Sequence, residues 1–416
     1  MAIKYNKTTK RVNIILLSGI ISIYAFFSSP TPDEISYAEI LIAIFFIILL
    51  GAYTPYFLGG FVLYPYIERV PIYAWIAFIY LLFVPSVYGL IIKNNTVNDF
   101  IRDFIPFLYF FMPLFLINIL QRNKLFWVNA LPYLIAIIGV LFSIRFFLVS
   151  GKTPIDVGTE YISDKLLYFP MDPSVLFSAT FLLLRFIANF NFSNLKTLIL
   201  SVLMFIAGFI CFLALAGFLV RAQIFLVIFS LFVYMLFLLR KNPFKILLLF
   251  SLIFLLFFYF FSDQFISLFI LLINKFRTVG FNSRDLEYRA VMNEFVNSVS
   301  FMILGSGWGG LINNPVIWGM KVRYVHNLYL YFIFKTGLIG FVFFLLYIFF
   351  ILKRFAILLR NYNKSLIYLL PIINVLIVFT ILEAGFKNLS FGLILSYLIL
   401  ISYNFKDIKY GSDHNK

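Results

Sequence analysis

Two histidines occur in 416 residues, and one of them, His414, lies two residues from the end of the chain. The other, His326, heads the apolar stretch "RYVHNLYLYFIFKTGLIG", Arg323 to Gly340. Imidazole changes charge near neutral pH, so His326 is a candidate general base or orienting hydrogen-bond partner. The plainer reading is a histidine at the interface between a helix and lipid head groups. Arginines form the second set of candidates. Arg221 interrupts an otherwise uncharged run from Thr197 to Leu239. An arginine at membrane depth costs about 2.5 to 3.5 kcal/mol on insertion scales, so such a residue usually faces a cavity or partner, unless it snorkels from a tight turn. Arg284 and Arg289 belong to "NSRDLEYRAVMNEFVNSVS", where a helix N-terminus and guanidinium groups together suit a phosphate. Arg289 also follows Asp285 by four residues, the spacing of an ordinary surface pair. Arg323, three residues before His326, either serves the same site or anchors the span.

Other chemistries find no support. There is no D-x-D pair and no His/Cys cluster, so no metal is assigned. Neither "GxxxxGK[ST]" nor "GxGxxG" after a strand occurs, and no "GxSxG", which leaves nucleotide cofactors and serine hydrolysis without a motif. The chain holds a single cysteine, Cys211, inside an apolar run, so disulfides play no part.

The elements that must position these residues are membrane helices. Hydrophobic residues make up 63% of the chain and charged ones 12%, with 57 Phe and a mean hydropathy of +1.01, far above a soluble globule. Twelve apolar runs, at approximately 12–29, 37–53, 70–92, 104–120, 126–149, 172–190, 196–219, 222–240, 244–261, 327–352, 366–384 and 389–404, have the roughly 20-residue length of a spanning helix. Their continuity excludes the alternation of barrel strands. The fold class is therefore an all-α polytopic membrane protein. The first run follows Lys4, Lys7, Lys10 and Arg11 but lacks a small-x-small cleavage site, so it reads as a retained span. With the basic N-terminus in the cytoplasm, both termini and the turns "QRNK", "RKNPFK" and "KRFAILLRNYNK" share that side, and the net charge of +16 is topological. It points to anionic lipid rather than nucleic acid.

Two outer connections are long, "SGKTPIDVGTEYISDKLLYFP" from Ser150 and the polar stretch 262–326. The division is then 1–261, nine helices; 262–326, a large outer loop; and 327–416, three helices and a tail. Loops this long in compact proteins are usually functional. Within the loop, Tyr288, Val291, Met292, Phe295, Val296 and Val299 recur at helical spacing, with Asn282 as N-cap and Asp285 three residues on. The Gly-rich turn "GSGWGG", Gly305 to Gly310, stops what precedes it.

Several of these residues together resemble the O-antigen ligase and O-antigen polymerase (Wzy-type) superfamily. The resemblance rests on H-N-x-Y-L followed by G-L-I-G (His326, Asn327, Tyr329, Leu330, Gly337 to Gly340), on "SRDLEYRAVMNEF", on G-x-G-W-G, and on an arginine, Arg221, at the end of a span. "MDPSVLFS", from Met171, is similar to an Asp-Pro-Asn element, with Ser174 in place of Asn. The resemblance implies a GT-C-like membrane glycosyltransferase in the bacterial inner membrane, with its site facing the periplasm in one large loop. It also implies metal-independent transfer of a glycan from undecaprenyl pyrophosphate. On this reading Arg221, Arg284 and Arg289 clamp phosphate, His326 orients or deprotonates the acceptor hydroxyl, and Arg323, Asn327 and Tyr329 contact substrate. The acceptor is either a second lipid-linked repeat unit, as in a polymerase, or the lipid A core, as in a ligase. A polysaccharide chain-length regulator is a partner of such polymerases. A flippase or other transporter is the reading from a different class.

Overall fold

A computed structural model describes residues 7–28, 36–50, 70–151, 153, 168–190, 195–240, 243, 251, 266–267, 270–271, 273–274, 284–315, 319–360 and 362–404. The protein is an all-α, membrane-embedded chain. Its helices are α1 (Lys7–Phe27), α2 (Tyr37–Leu50), α3 (Ile72–Val87), α4 (Val97–Arg122), α5 (Lys124–Ser150), α6 (Pro173–Asn189) and α7 (Leu195–Gly217). They continue with α8 (Arg221–Leu239), α9 (Arg284–Asn297), α10 (Val299–Leu304), α11 (Leu328–Leu359), α12 (Tyr362–Ile377) and α13 (Leu389–Tyr403). Among the described residues, six helical segments are long and apolar enough to cross a bilayer: 72–92, α4, α5, α7, α8 and α11. Helices at 11–27, 37–50, 173–189, 366–382 and 389–403 are apolar but shorter. The apolar run 244–261, apart from Ser251, and the Asn282 cap lie outside the described residues.

Helix α13 is buried nearly throughout and packs on α4, α5 and α11, while α6 packs on α5, α7 and α12. Gly392 lets α13 approach α4, since a Cβ there would collide with the Tyr109 carbonyl. That carbonyl belongs to the turn that Pro113 leaves without an N–H donor.

The Gly-rich turn is the joint between this bundle and the 284–326 region, and proline and glycine chemistry explains it. Pro85 in α3 has no N–H for the Leu81 carbonyl, and the Trp308 indole N–H donates there instead at 2.8 Å. The Trp308 backbone N–H donates to the Pro85 carbonyl at 3.2 Å. On the other side, α11 is broken at Gly337, with φ 62° and ψ −167°. The break frees the Phe334 and Lys335 carbonyls, which accept from Ser306 N–H and Gly307 N–H at 2.9 Å each. Gly305, Gly307 and Gly309 all have positive φ, which lets the backbone lie flat against both helices. Trp308 is fully buried.

Under the turn lies a pair of charges within the spans. Asp103 of α4 and Lys335 of α11 form a buried ion pair. Asp103 also accepts from Gly309 N–H at 2.8 Å and Tyr331 O–H at 3.2 Å, and Lys335 donates to the Gly310 carbonyl at 2.6 Å. Both charged groups are thereby held by additional hydrogen bonds, which is what makes such a pair tolerable in low dielectric.

Candidate functional site

Helix α9 brings one face inward, but not the expected one. Glu287 and Val291 are buried, with Met292 and Phe295 partly so. Tyr288, Val296 and Val299 are 55%, 81% and 69% exposed, which corrects the apolar stripe read from the sequence. The stripe is centred on a carboxylate because polar partners wait beneath it. One is Asn314, on a two-stranded antiparallel hairpin of Ile312–Asn314 and Met320–Val322 in which Asn314 pairs with Met320. Asn314 is 1% exposed and its amide donates to Glu287 Oε1 at 2.9 Å.

The hairpin then delivers His326 to the same carboxylate. His326 Nδ1 is 2.6 Å from Glu287 Oε1, and the His326 backbone N–H donates to Oε2 at 3.2 Å. Arg284, one turn before Glu287, adds an ion pair at 3.8 Å. Burial alone raises Glu287, but the hydrogen bond and charge of His326 and the Asn314 amide outweigh it and hold the carboxyl at about 2. An ionised carboxylate only accepts, so His326 Nδ1 carries the hydrogen. Burial also pulls the imidazole below its ordinary 6.5; the Glu287 hydrogen bond opposes this, and Arg284 and Lys387 repel the charged form. A neutral ring with its hydrogen on Nδ1 leaves the Nε2 lone pair available. The arrangement is a histidine–carboxylate dyad with a base at Nε2.

Cations ring the dyad. Burial draws Arg284 down while Glu287, Glu383 and Tyr324 hold it charged. Glu383 ends the helical stretch after α12 and accepts from the Gln223 amide at 2.7 Å, which ties the first turn of α8 to this corner. That turn begins with Arg221, half-buried, directly after a tight turn in which Leu219 has φ 53°. Tyr324 meets the His326 ring edge-on at 5.6 Å. Lys387 lies 4.1 Å from the Tyr324 ring centre.

The sequence candidates thus divide. His326 and Arg284 come together, and the α8 turn that carries Arg221 reaches Glu383 beside them. Arg289 stands apart, 73% exposed and paired with Asp285 at 3.9 Å. Arg323 pairs with Asp99 at 2.6 Å. Asn327 caps α11, its side-chain oxygen accepting from Tyr329 and Leu330 N–H at 2.9 and 3.1 Å, while its amide donates to the Ile381 carbonyl at 3.3 Å. Tyr329 packs edge-on to Phe344 at 5.8 Å. Asp172 is buried and caps α6, accepting from Ser174 N–H at 2.8 Å and Tyr24 O–H at 2.6 Å, with the Asn388 amide at 3.2 Å. Sequence reasoning missed Glu287, Glu383 and Lys387. For Glu287 a signal existed: of the two acidic residues between the candidate arginines, it is the one a helical turn, three residues, after Arg284. No family model matches this chain, and no curated protein matches it.

Proposed function

We propose that this protein is a metal-independent glycosyltransferase of the O-antigen polymerase type, acting on glycans carried by undecaprenyl pyrophosphate. Its site would face the periplasm from a twelve-span chain with both termini in the cytoplasm of a bacterial inner membrane. The observation that carries this reading is the Glu287–His326 dyad, with Arg284 one turn away. In the proposed step an acceptor sugar hydroxyl attacks the donor's anomeric carbon. The new glycosidic C–O bond forms as the bond to pyrophosphate breaks, the hydroxyl proton passes to His326 Nε2, and the lipid pyrophosphate leaves as an anion. Negative charge grows on phosphate, where fixed guanidinium groups stabilise it most effectively in a partly buried site. Arg284 and Arg221 fill that role. A pyrophosphate is a stable leaving group, so the step needs no separate general acid.

Purified protein incubated with lipid-linked repeat units tests the proposal directly. A ladder of products from repeat units alone supports a polymerase, and its loss in His326→Ala and Arg221→Ala supports the site. Transfer that requires added lipid A core identifies a ligase instead. Flipping of lipid-linked glycan in vesicles without any new linkage would assign the protein to transport.

A further inference from the structure

Lys387 ends the short helical turn Ala384–Lys387 between α12 and α13. Its ammonium lies 4.1 Å from the ring centre of Tyr324, 5.0 Å from that of Tyr331 and 5.9 Å from that of Phe386. Aromatic faces hold a cation without neutralising it. The carboxylates nearby are each engaged elsewhere. Asp103 pairs with Lys335, Asp99 with Arg323, Glu287 with His326 and Arg284, and Glu383 accepts from Gln223. Lys387 makes no ion pair with a described residue, although it is half-buried. Tyr324 touches both this ammonium and the His326 ring, so an anion on Lys387 would sit one aromatic ring from the proposed base.

We propose that Lys387 is a further anion-binding residue of this site, gripping a phosphate of the lipid pyrophosphate beside Arg284. This inference rests on the pyrophosphate-donor reading above. The charged surroundings agree with it. Burial pushes the amine down to about 7, with Asp103 and Glu287 opposing and Lys335 and Arg323 adding repulsion. The site thus holds a lysine that an arriving phosphate would recharge fully.

The test is binding to the full chain in phosphatidylcholine nanodiscs, with farnesyl pyrophosphate, farnesol and phosphatidylglycerol as probes. Lys387→Met keeps the stem and removes the charge; Lys387→Gln repeats the measurement should the methionine variant not fold. Farnesyl pyrophosphate affinity is expected to fall about tenfold in these variants, the effect of one charge-assisted contact, and to survive in Lys387→Arg, with farnesol unaffected. Unchanged pyrophosphate affinity, alongside a loss in Arg284→Ala, would overturn the role of Lys387 while leaving the donor reading standing. A wild-type protein that binds farnesol as well as farnesyl pyrophosphate overturns both. An equal loss for farnesol would make Lys387 a packing residue. Phosphatidylglycerol binding of equal strength and equal dependence would replace the leaving group by a bilayer lipid and overturn the assignment.

Discussion

Glu287→Gln is the sharpest perturbation of the dyad, because it removes one charge and almost no volume. The carboxylate takes a hydrogen bond from His326 Nδ1 at 2.6 Å and another from Asn314 at 2.9 Å. Hydrogen bonds to a charged group contribute about 1.5–3 kcal/mol, against roughly 1 kcal/mol for a neutral pair. The glutamine also presents an N–H₂ that favours the wrong tautomer, with the lone pair on Nδ1 and the hydrogen on Nε2. Imidazolium formed as the acceptor proton arrives would lose its counter-charge as well. Taken together the transition state loses about 3 kcal/mol, or about a hundredfold in rate. The assay is the initial rate of product ladder formation from lipid-linked repeat units, with binding of farnesyl pyrophosphate measured on the same preparation. The expected result is a rate loss of that order with donor affinity altered less than threefold. A Glu287→Gln variant that forms the ladder within threefold of the wild-type rate would refute the dyad, whatever its stability.

The pH dependence follows from the same groups. Because the fold lowers His326 below 6.5, activity should rise with pH through a midpoint below that value; an acidic midpoint above 7 would contradict a neutral imidazole. For stability, Glu287 is depressed from 4.5 to about 2, so its contribution is fully present above pH 4.5 and is lost as pH falls toward 2. Its ceiling is on the order of 3 kcal/mol, read from melting in detergent across that window. Gly337→Ala places a Cβ against the Ile303 carbonyl at φ 62° and should cost more than about 2 kcal/mol, whereas Gly319→Ala, at φ 74° with nothing within 4 Å, should cost only the left-handed backbone strain of about 1–2 kcal/mol. Asp103→Leu strands the Lys335 ammonium and should cost about 3–5 kcal/mol, most of which the double variant Asp103→Leu/Lys335→Met should recover; a double variant no more stable than the single one would refute the pairing.

The helices were legible because hydropathy over twenty residues is a strong signal, and the apolar run 327–352 does coincide with part of α11. The break inside it was not, because one glycine's φ leaves hydropathy unchanged. G-L-I-G and "GSGWGG" both stand out in the sequence, but that they are the two sides of one joint depends on carbonyls freed in three dimensions. Lys335 is visible in the sequence as a charge inside a span and so demands a partner. The partner, Asp103, lies 232 residues earlier, beyond any local pattern. The loop helix is legible in the sequence while its buried face is not, for a related reason. A pattern of apolar residues treats a carboxylate as outward-facing, yet Glu287 turns inward because Asn314 and His326, 27 and 39 residues later, satisfy it. His326 itself stood out by scarcity. Its tautomer could be inferred only once the neighbour of Nδ1 was known.

The span of the Asp103–Lys335 pair has a consequence for biogenesis. Helix α4 is translated long before α11, so during synthesis it must enter the bilayer with Asp103 unmatched, at a cost of at most about 3.5 kcal/mol, the upper helix-centre value on insertion scales. Its final seat waits for Lys335 and for the Gly309 and Gly310 backbone that closes over the pair. The arrival of α11 is also the event that sets His326 against Glu287. A half-made chain therefore lacks the Glu287–His326 contact, and assembly of the dyad waits for the arrival of α11.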